Sequence, residues 1–526
     1  MTFEPSPRAK FASLFGGLSK GSILFPGTKS YEEAVFVGNL LYRLKTPAVV
    51  VQAVDEEDVR ATIQFAHQQG MQLTVRSGGH SNAAYCMNQG GIVLDMRSMN
   101  SVSVNKEDME ISIAGGAIWR DVYNPLHSQS KRLMVMGGQC PTVGVPGFLM
   151  GGGLSPLSRS HGLGIDSLLE ATVITATGEK LTVSHRDTDD RGDLFWALRG
   201  GGGGNFGVVT HFRLKLHKLN DAEGKVVCGS LGWKIPQKED KFRDMMEKFN
   251  TISWPAEVCA DALWRYDEHN QLWGELTIIY NGRFPAFKQD IAPLMQFDAD
   301  KNDFNEMHLY EWEVQDEAFS VFSKIYNHHA SFIFPEGAIT PEVSDYMTHW
   351  MKRVRAEEPD KNKCGCHIPW DHIGAKTTHA RSDETAFPWR DGAYVCSFKV
   401  SWTNTDLHKT MFNFIEEAKI RMAPHAVGGV AAYVNYIDST LDTWRESYYG
   451  DNYTRLQSIK SRWDPNNFFT FDQGIEPVGF HRQRDPNWKP WGVFTVPSPA
   501  MLGNPKTPGE VFTVDARIRA ECAPRY

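Results

Sequence analysis

Apolar and polar positions fall into three regimes along the chain. Between residues 46 and 217, short β-branched runs are broken by glycine. Pro47-Ala48-Val49-Val50-Val51 reads as a strand, and Asp55 as the cap of a helix whose Val59, Ile63 and Ala66 recur at helical spacing until Gly70 ends it. Leu73-Thr74-Val75 is the next strand, and it leads directly into Arg76-Ser77-Gly78-Gly79-His80. A strand follows at Ile92-Val93-Leu94-Asp95. Ser103 to Ile113 alternates through a charged turn, and Ala171 to Thr175 pairs with Lys180 to Val183 around Thr177-Gly178, so both predict hairpins. Ala117 to Ser128 and Phe195 to Leu198 read as helices, and Val208 to Leu214 as a strand. Residues 1–40 form a lead-in with one helical pattern near Tyr31.

From 218 to 430 the pattern lengthens. Amphipathic stretches such as Asp240 to Phe249 and Asp406 to Met422 alternate with strands such as Leu276 to Tyr280 and Tyr394 to Val400. This predicts an α+β unit, with helices on one face of an antiparallel sheet. Residues 431–475 are rich in aromatic side chains. The tail, 476–526, holds eight prolines, which disfavours helix and predicts an extended strap.

Composition narrows the function. The chain has 526 residues, enough for several cored domains, and a net charge of −8, which argues against a nucleic-acid partner. No apolar run approaches the ~20 residues of a membrane span. Met1 to Arg8 lacks the pattern of an export signal, so a cytoplasmic protein is expected unless a leader has been removed. Cys364-Gly365-Cys366-His367 has no second ligand pair at zinc-finger spacing, and no metal is expected. Oligomeric state is not legible.

Candidate chemistry gathers in the glycine loops. Arg76 to Ser81 presents successive amides with no side chain at Gly78 and Gly79, a nest suited to a pyrophosphate. Gly138-Gln139-Cys140-Pro141-Thr142-Val143-Gly144 carries a thiol on a second such loop. Gly202 to Gly207 spells G-x-G-x-x-G, but a helix precedes it and a strand follows, which predicts a backbone turn rather than a dinucleotide fold.

The pairing of His80 with Cys140 on these loops resembles the berberine-bridge-enzyme-like branch of the vanillyl-alcohol-oxidase (PCMH-type) flavoproteins. So do Arg159 to Asp166, and the terminal run from Tyr433 through Tyr448-Tyr449-Gly450-Asp451-Asn452 to Phe468. The resemblance implies a two-part FAD-binding domain (1–217, core 46–217), a substrate domain (218–430), a C-terminal segment (431–475) returning to the first domain, and the tail. It implies FAD linked twice, through His80 to the 8α-methyl and Cys140 to C6. Further cofactor contacts would come from Arg76, Ser77, Gly78, Gly79, Ser81, Val143, Gly144, Gly147, Gly152, Gly153, Leu154, Val209, Asn435 and Asn452.

Tyr436 is the implied base, with Tyr433 and Lys399 as further candidates. Ser397 stands where plant relatives carry a Gln or Glu, so no carboxylate base is expected on the strand 394–402. Val143, three residues after the cysteine, is small enough to leave room for dioxygen. The implied activity is oxidation of a small-molecule alcohol or activated C–H donor in secondary metabolism, with oxygen reduced to hydrogen peroxide. Alternatives are an oligosaccharide oxidase acting at the anomeric carbon, a flavin-scaffold cyclase or isomerase, and a non-catalytic binding protein.

Overall fold

The structure, a computed structural model, describes residues 7–313 and 325–480. Most of the tail lies outside the described residues. Three sheets organise the chain. In the first, Val49–Gln52, Ile92–Asp95 and Leu73–Arg76 lie parallel, with Ser22–Leu24 antiparallel at the edge. Val49, Val50, Val51, Ile92, Val93 and Leu94 are fully buried. A parallel sheet covered on both faces needs such continuous apolar runs rather than alternation. The crossover helix is Glu56–Gln69. Asp55 caps it by accepting from Asp58 N at 3.1 Å, and Gly70 ends it in the left-handed region at φ 59°.

The second sheet is antiparallel, in the order Val102–Asn105, Glu110–Ala114, Val208–Lys215, Leu168–Ile174, Lys180–Ser184. Both expected hairpins are in it. Val208–Lys215 follows the glycine tract directly, and Gly202, Gly204 and Gly207 all have positive φ. The tract is therefore a turn, with no helix after it.

The third sheet has eight strands, all antiparallel. Its path runs Lys301–Asn302, Lys225–Ile235, Leu272–Tyr280, Val258–Tyr266, Cys364–His372, Tyr394–Trp402, Tyr326–Phe334, and the eighth strand, Asn305–His308, also pairs with Lys225–Ile235. Helices Glu239–Thr251, Pro341–Glu357 and His408–Met422 cover one face. Cys364–His372 alternates strictly between buried and half-buried positions. Cys364 and Cys366 face the helices, and His367 faces the other way. The run that spells a cysteine–histidine cluster is thus split across the sheet by the period of two.

Residues 431–475 return to the second sheet. Tyr448, Leu456, Ile459 and Ile475 share a core with Trp119 and Phe195. Lys460, with its side chain wholly buried, fixes the return by donating to Asn205 O (2.6 Å), Asp464 Oδ2 (2.6 Å) and Phe469 O (2.7 Å). Its three protons are all used, which is what makes a buried ammonium tolerable.

Burial also keeps many histidines neutral. His80, His329 and His408 are lowered to about 4, and His328 and His367 to about 3, each chiefly by desolvation. The unfolded chain binds these protons below about 6.5 while the folded chain does not, so stability falls as pH drops from 6.5 towards 4. The melting temperature is expected to drop steeply between pH 7 and pH 5 in calorimetric scans. A melting temperature that holds steady across that range would contradict the buried neutral state.

Candidate active site

One cavity of about 640 Å³ lies among the three sheets. Leu73, Thr74, Val75, Tyr85 and Phe469–Phe471 line part of it, the loop Ser77–Ser81 another, and Asp261, His367, Asp371, Lys399, Tyr433 and Tyr436 the part against the large sheet. Of the expected cofactor contacts, Ser77, Gly78, Gly79, His80, Ser81, Cys140, Val143, Gly144, Gly147, Leu154, Val209 and Asn435 all border it.

The two glycine loops touch backbone to backbone. A Cβ on Gly78 would lie 2.8 Å from Thr142 O, and one on Gly144 would lie 2.6 Å from Gly78 N. Only glycine at both positions permits this approach. The contact brings His80 and Cys140 to one place. His80 Nε2 lies 3.0 Å from Thr142 Oγ1, and Cys140 Sγ lies 3.3 Å from the same hydroxyl. Burial lowers the His80 imidazole to about 4, against a hydrogen bond with the Thr142 backbone, and the Arg76 charge lowers it further. At neutral pH the ring is therefore uncharged and keeps a nucleophilic lone pair.

Four expected contacts stand elsewhere. Arg76 does not border the cavity. Its guanidinium donates to Ala34 O (2.6 Å) and Phe36 O (2.9 Å), and underlies Gly79 from behind. Gly152 and Gly153 sit one layer back, where Gly153 N donates to Tyr433 Oη at 3.0 Å. Asn452 donates to Ser382 O and Thr385 O, away from the cavity.

At the large sheet, Tyr436 Oη donates to Asp371 Oδ2 at 2.9 Å, and Lys399 Nζ lies 5.0 Å from the centroid of the Tyr436 ring. The phenol is held well above its ordinary 10.0 by burial and by the Asp371 charge. Burial likewise raises Asp371, while Lys399 and the Tyr436 hydrogen bond oppose the rise. Asp261 is raised well above 3.8 by burial and by Asp371. The two buried carboxyls raise one another, and Lys399 beside Asp371 favours negative charge on that member of the pair. Tyr433 has another place in the network: its Oη accepts from Gly153 N and from Asn435 Nδ2 (3.1 Å), and its ring packs edge-on to Tyr436 with centroids 5.2 Å apart. Ser397 is fully buried and does not border the cavity.

Asp371, Asp261, His367 and Thr142 are absent from the sequence-based set. No carboxylate stands on the strand Tyr394–Trp402, as expected, but the neighbouring strand supplies one. Ala262 pairs with Trp370 and Leu263 with Pro369, a register that carries Asp261 to the position opposite Asp371. The signal in the sequence was the alternation of Cys366, Ile368 and Trp370 with His367, Pro369 and Asp371.

The cavity fits FAD on this structure's own features: a nest of bare amides, glycines whose Cβ atoms would invade a neighbouring backbone, and a neutral imidazole beside a thiol. Fold and site together define an FAD-binding oxidoreductase. The family model for the FAD binding domain matches residues 47–184, and the one described as berberine and berberine like matches 432–476. In these two segments and along most of its length the chain is similar to berberine-bridge-enzyme-like FAD-linked oxidoreductases.

It is 29% identical to the uncharacterised FAD-linked oxidoreductase YvdP of Bacillus subtilis, over 87% of this chain and 98% of that one. It is 24% identical to (R)-6-hydroxynicotine oxidase of Paenarthrobacter nicotinovorans, over 88% and 97%. It is 25% identical to tetrahydroberberine oxidase of Argemone mexicana, over 82% of this chain and 83% of that one.

 Among solved structures, Physcomitrella patens BBE-like 1 superposes with a TM-score of 0.78 at 24% identity, covering 90% of this chain and all of that one. Among the described residues, no helix is long and apolar enough to cross a membrane.

Proposed function

We propose that the protein oxidises a small-molecule alcohol, or a comparably activated C–H donor, using FAD attached to both His80 and Cys140, with dioxygen as the final acceptor and hydrogen peroxide as product. The observation that carries this reading is the convergence on one cavity of two side chains able to bond a flavin and a phenol–carboxylate pair able to take a proton. FAD bound here supplies the hydride acceptor and the route of electrons to oxygen. The chain's own residues handle the rest.

The glycine amides of Ser77–Ser81 would hold the anionic pyrophosphate of FAD. Tyr436 Oη takes the substrate's hydroxyl proton as its own proton passes to Asp371 Oδ2, 2.9 Å away. A phenol with a raised pKa is a poor base alone, and the carboxylate is what makes the transfer favourable. Lys399, over the Tyr436 ring, stabilises negative charge on the pair. Leu263, Pro369 and Ile373 give the cavity apolar surface near these groups, which suits an organic substrate better than a sugar chain. Relatives named as oxidases of hydroxynicotine and tetrahydroberberine support an oxidase acting on a small organic molecule, over an isomerase or an oligosaccharide oxidase.

Two experiments test this. Candidate alcohols mixed anaerobically with the holoenzyme should bleach the flavin, and admitting oxygen should restore it with one peroxide per turnover. Bleaching without peroxide would remove the oxidase reading. Secondly, Val143 borders the cavity beside Cys140. In Val143→Leu the reduced flavin should reoxidise roughly tenfold more slowly, the effect of an overpacking cost of about 1–3 kcal/mol, while reduction by substrate stays nearly unchanged. Stopped-flow mixing of photoreduced enzyme with oxygenated buffer reads this directly.

A further inference from the structure

The hydroxyl of Thr142 touches both side chains proposed to carry the flavin. It lies 3.0 Å from His80 Nε2 and 3.3 Å from Cys140 Sγ, and Thr142 itself does not border the cavity. We propose that Thr142 is the positioning residue for double attachment: a single hydroxyl behind the cavity wall that orients the imidazole and the thiol together, so that the two bonds form as a coordinated pair. This rests on the attachment proposed above, and it extends it to a residue that meets neither cofactor nor substrate.

A hydroxyl has one proton to give and two lone pairs to accept with. One arrangement satisfies both neighbours and leaves the other ring nitrogen its lone pair: His80 Nε2–H donates to Thr142 Oγ1, and Thr142 O–H donates to Cys140 Sγ. That arrangement fixes the imidazole's tautomer and orientation, and holds the sulfur at a set distance from the ring. The loop contact at Gly78 and Gly144 leaves little freedom for either loop to compensate, since the two backbones already meet. Thr142 Oγ1 lies within hydrogen-bond distance of both side chains and so links them.

Each attachment is an oxidation, and its balance is simple. The methyl C–H and the imidazole N–H are replaced by one C–N bond, or the ring C–H and the thiol S–H by one C–S bond. Two electrons and two protons leave in each case, and dioxygen takes them to give hydrogen peroxide. Thr142 supplies no electrons. It sets the reacting atoms in place, and orientation of this kind acts on rate.

The test is the state of the flavin in purified protein after denaturation, read by intact mass and by mapping of flavin-linked peptides. Wild type should carry one FAD joined to both His80 and Cys140. Thr142→Val keeps the shape and removes the hydroxyl. Its doubly linked fraction should fall about tenfold, as for loss of two neutral hydrogen bonds, with singly linked flavin accumulating. Thr142→Ser restores the hydroxyl without the methyl and should recover the wild-type pattern. A purely steric role for Thr142 predicts the reverse ranking of Val and Ser. If Thr142→Val is doubly linked as fully as wild type, the positioning role is overturned while double attachment stands. If wild type itself releases FAD in acid, the attachment reading fails and this inference fails with it. Melting curves on each variant identify a folding defect, and the Ser variant then decides the matter.

Discussion

Tyr436→Phe slows reduction of the flavin by substrate about 10²–10⁴-fold, the range in which positioned proton transfer contributes to a rate. The change removes one oxygen atom. The ring keeps its edge-on contact with Tyr433, and the backbone bond from Tyr436 N to Tyr433 O is untouched, so folding and flavin content should be those of wild type. The loss should appear in the reductive half-reaction alone, with reoxidation by oxygen unaltered. A change under about threefold, well short of the general-base range, would move the proton-accepting role to another group, Lys399 being the next to replace.

Asp371→Asn should cost a comparable factor, and it adds a signature in pH. The carboxylate acts as acceptor only when ionised, so the reduction rate falls as pH drops through the folded pKa of Asp371. That value lies above the ordinary 3.8, because burial raises it more than Lys399 and Tyr436 lower it. The acid limb of the rate profile therefore sits at higher pH than for a free carboxylate, and it disappears in Asp371→Asn. Lys399→Met removes the opposing charge, so it should move the limb further up. A profile with the same acid limb in wild type and Asp371→Asn would show that another group titrates there. Stopped-flow reduction across pH 4–8 separates these outcomes, within a window where acid lability of the fold must be checked in parallel.

How much of this was legible before folding depends on the range of the interaction. The nest at Arg76 to Ser81, the thiol loop at Cys140, both hairpins and the helix from Asp55 to Gly70 are local. Each is set by residues within one turn or one loop, and each stands where the sequence pattern puts it. The lining contributed by Asp261 and Asp371 is not local. It depends on which strand lies beside which, and on a register between segments about a hundred positions apart. The cysteines of Cys364–His372 lie on the face that packs on helices, while His367 and Asp371 on the other face line the cavity. Arg76 shows the reverse case: a cation beside a phosphate nest invites assignment to the anion, whereas its guanidinium donates to Ala34 O and Phe36 O behind the loop. A threonine such as Thr142 carries no signal of its own in the sequence; only its two distances, to His80 and to Cys140, give it a role.

Lys460 has a consequence for the order of events in the cell. Its bonds tie the loop at Asn205 to the run ending at Phe469, and Phe469–Phe471 are part of the cavity wall. His80 leaves the ribosome early, whereas the wall that completes its surroundings is among the last described segments to be made. Synthesis proceeds from the N-terminus at about 5–20 residues per second, so the two are separated by tens of seconds or more. A flavin arriving in that interval meets an open trough rather than a closed cavity. Cofactor loading is then expected to follow the return of residues 431–475, which also complete the core under the second sheet, and a protein truncated before Lys460 is expected to purify without flavin colour.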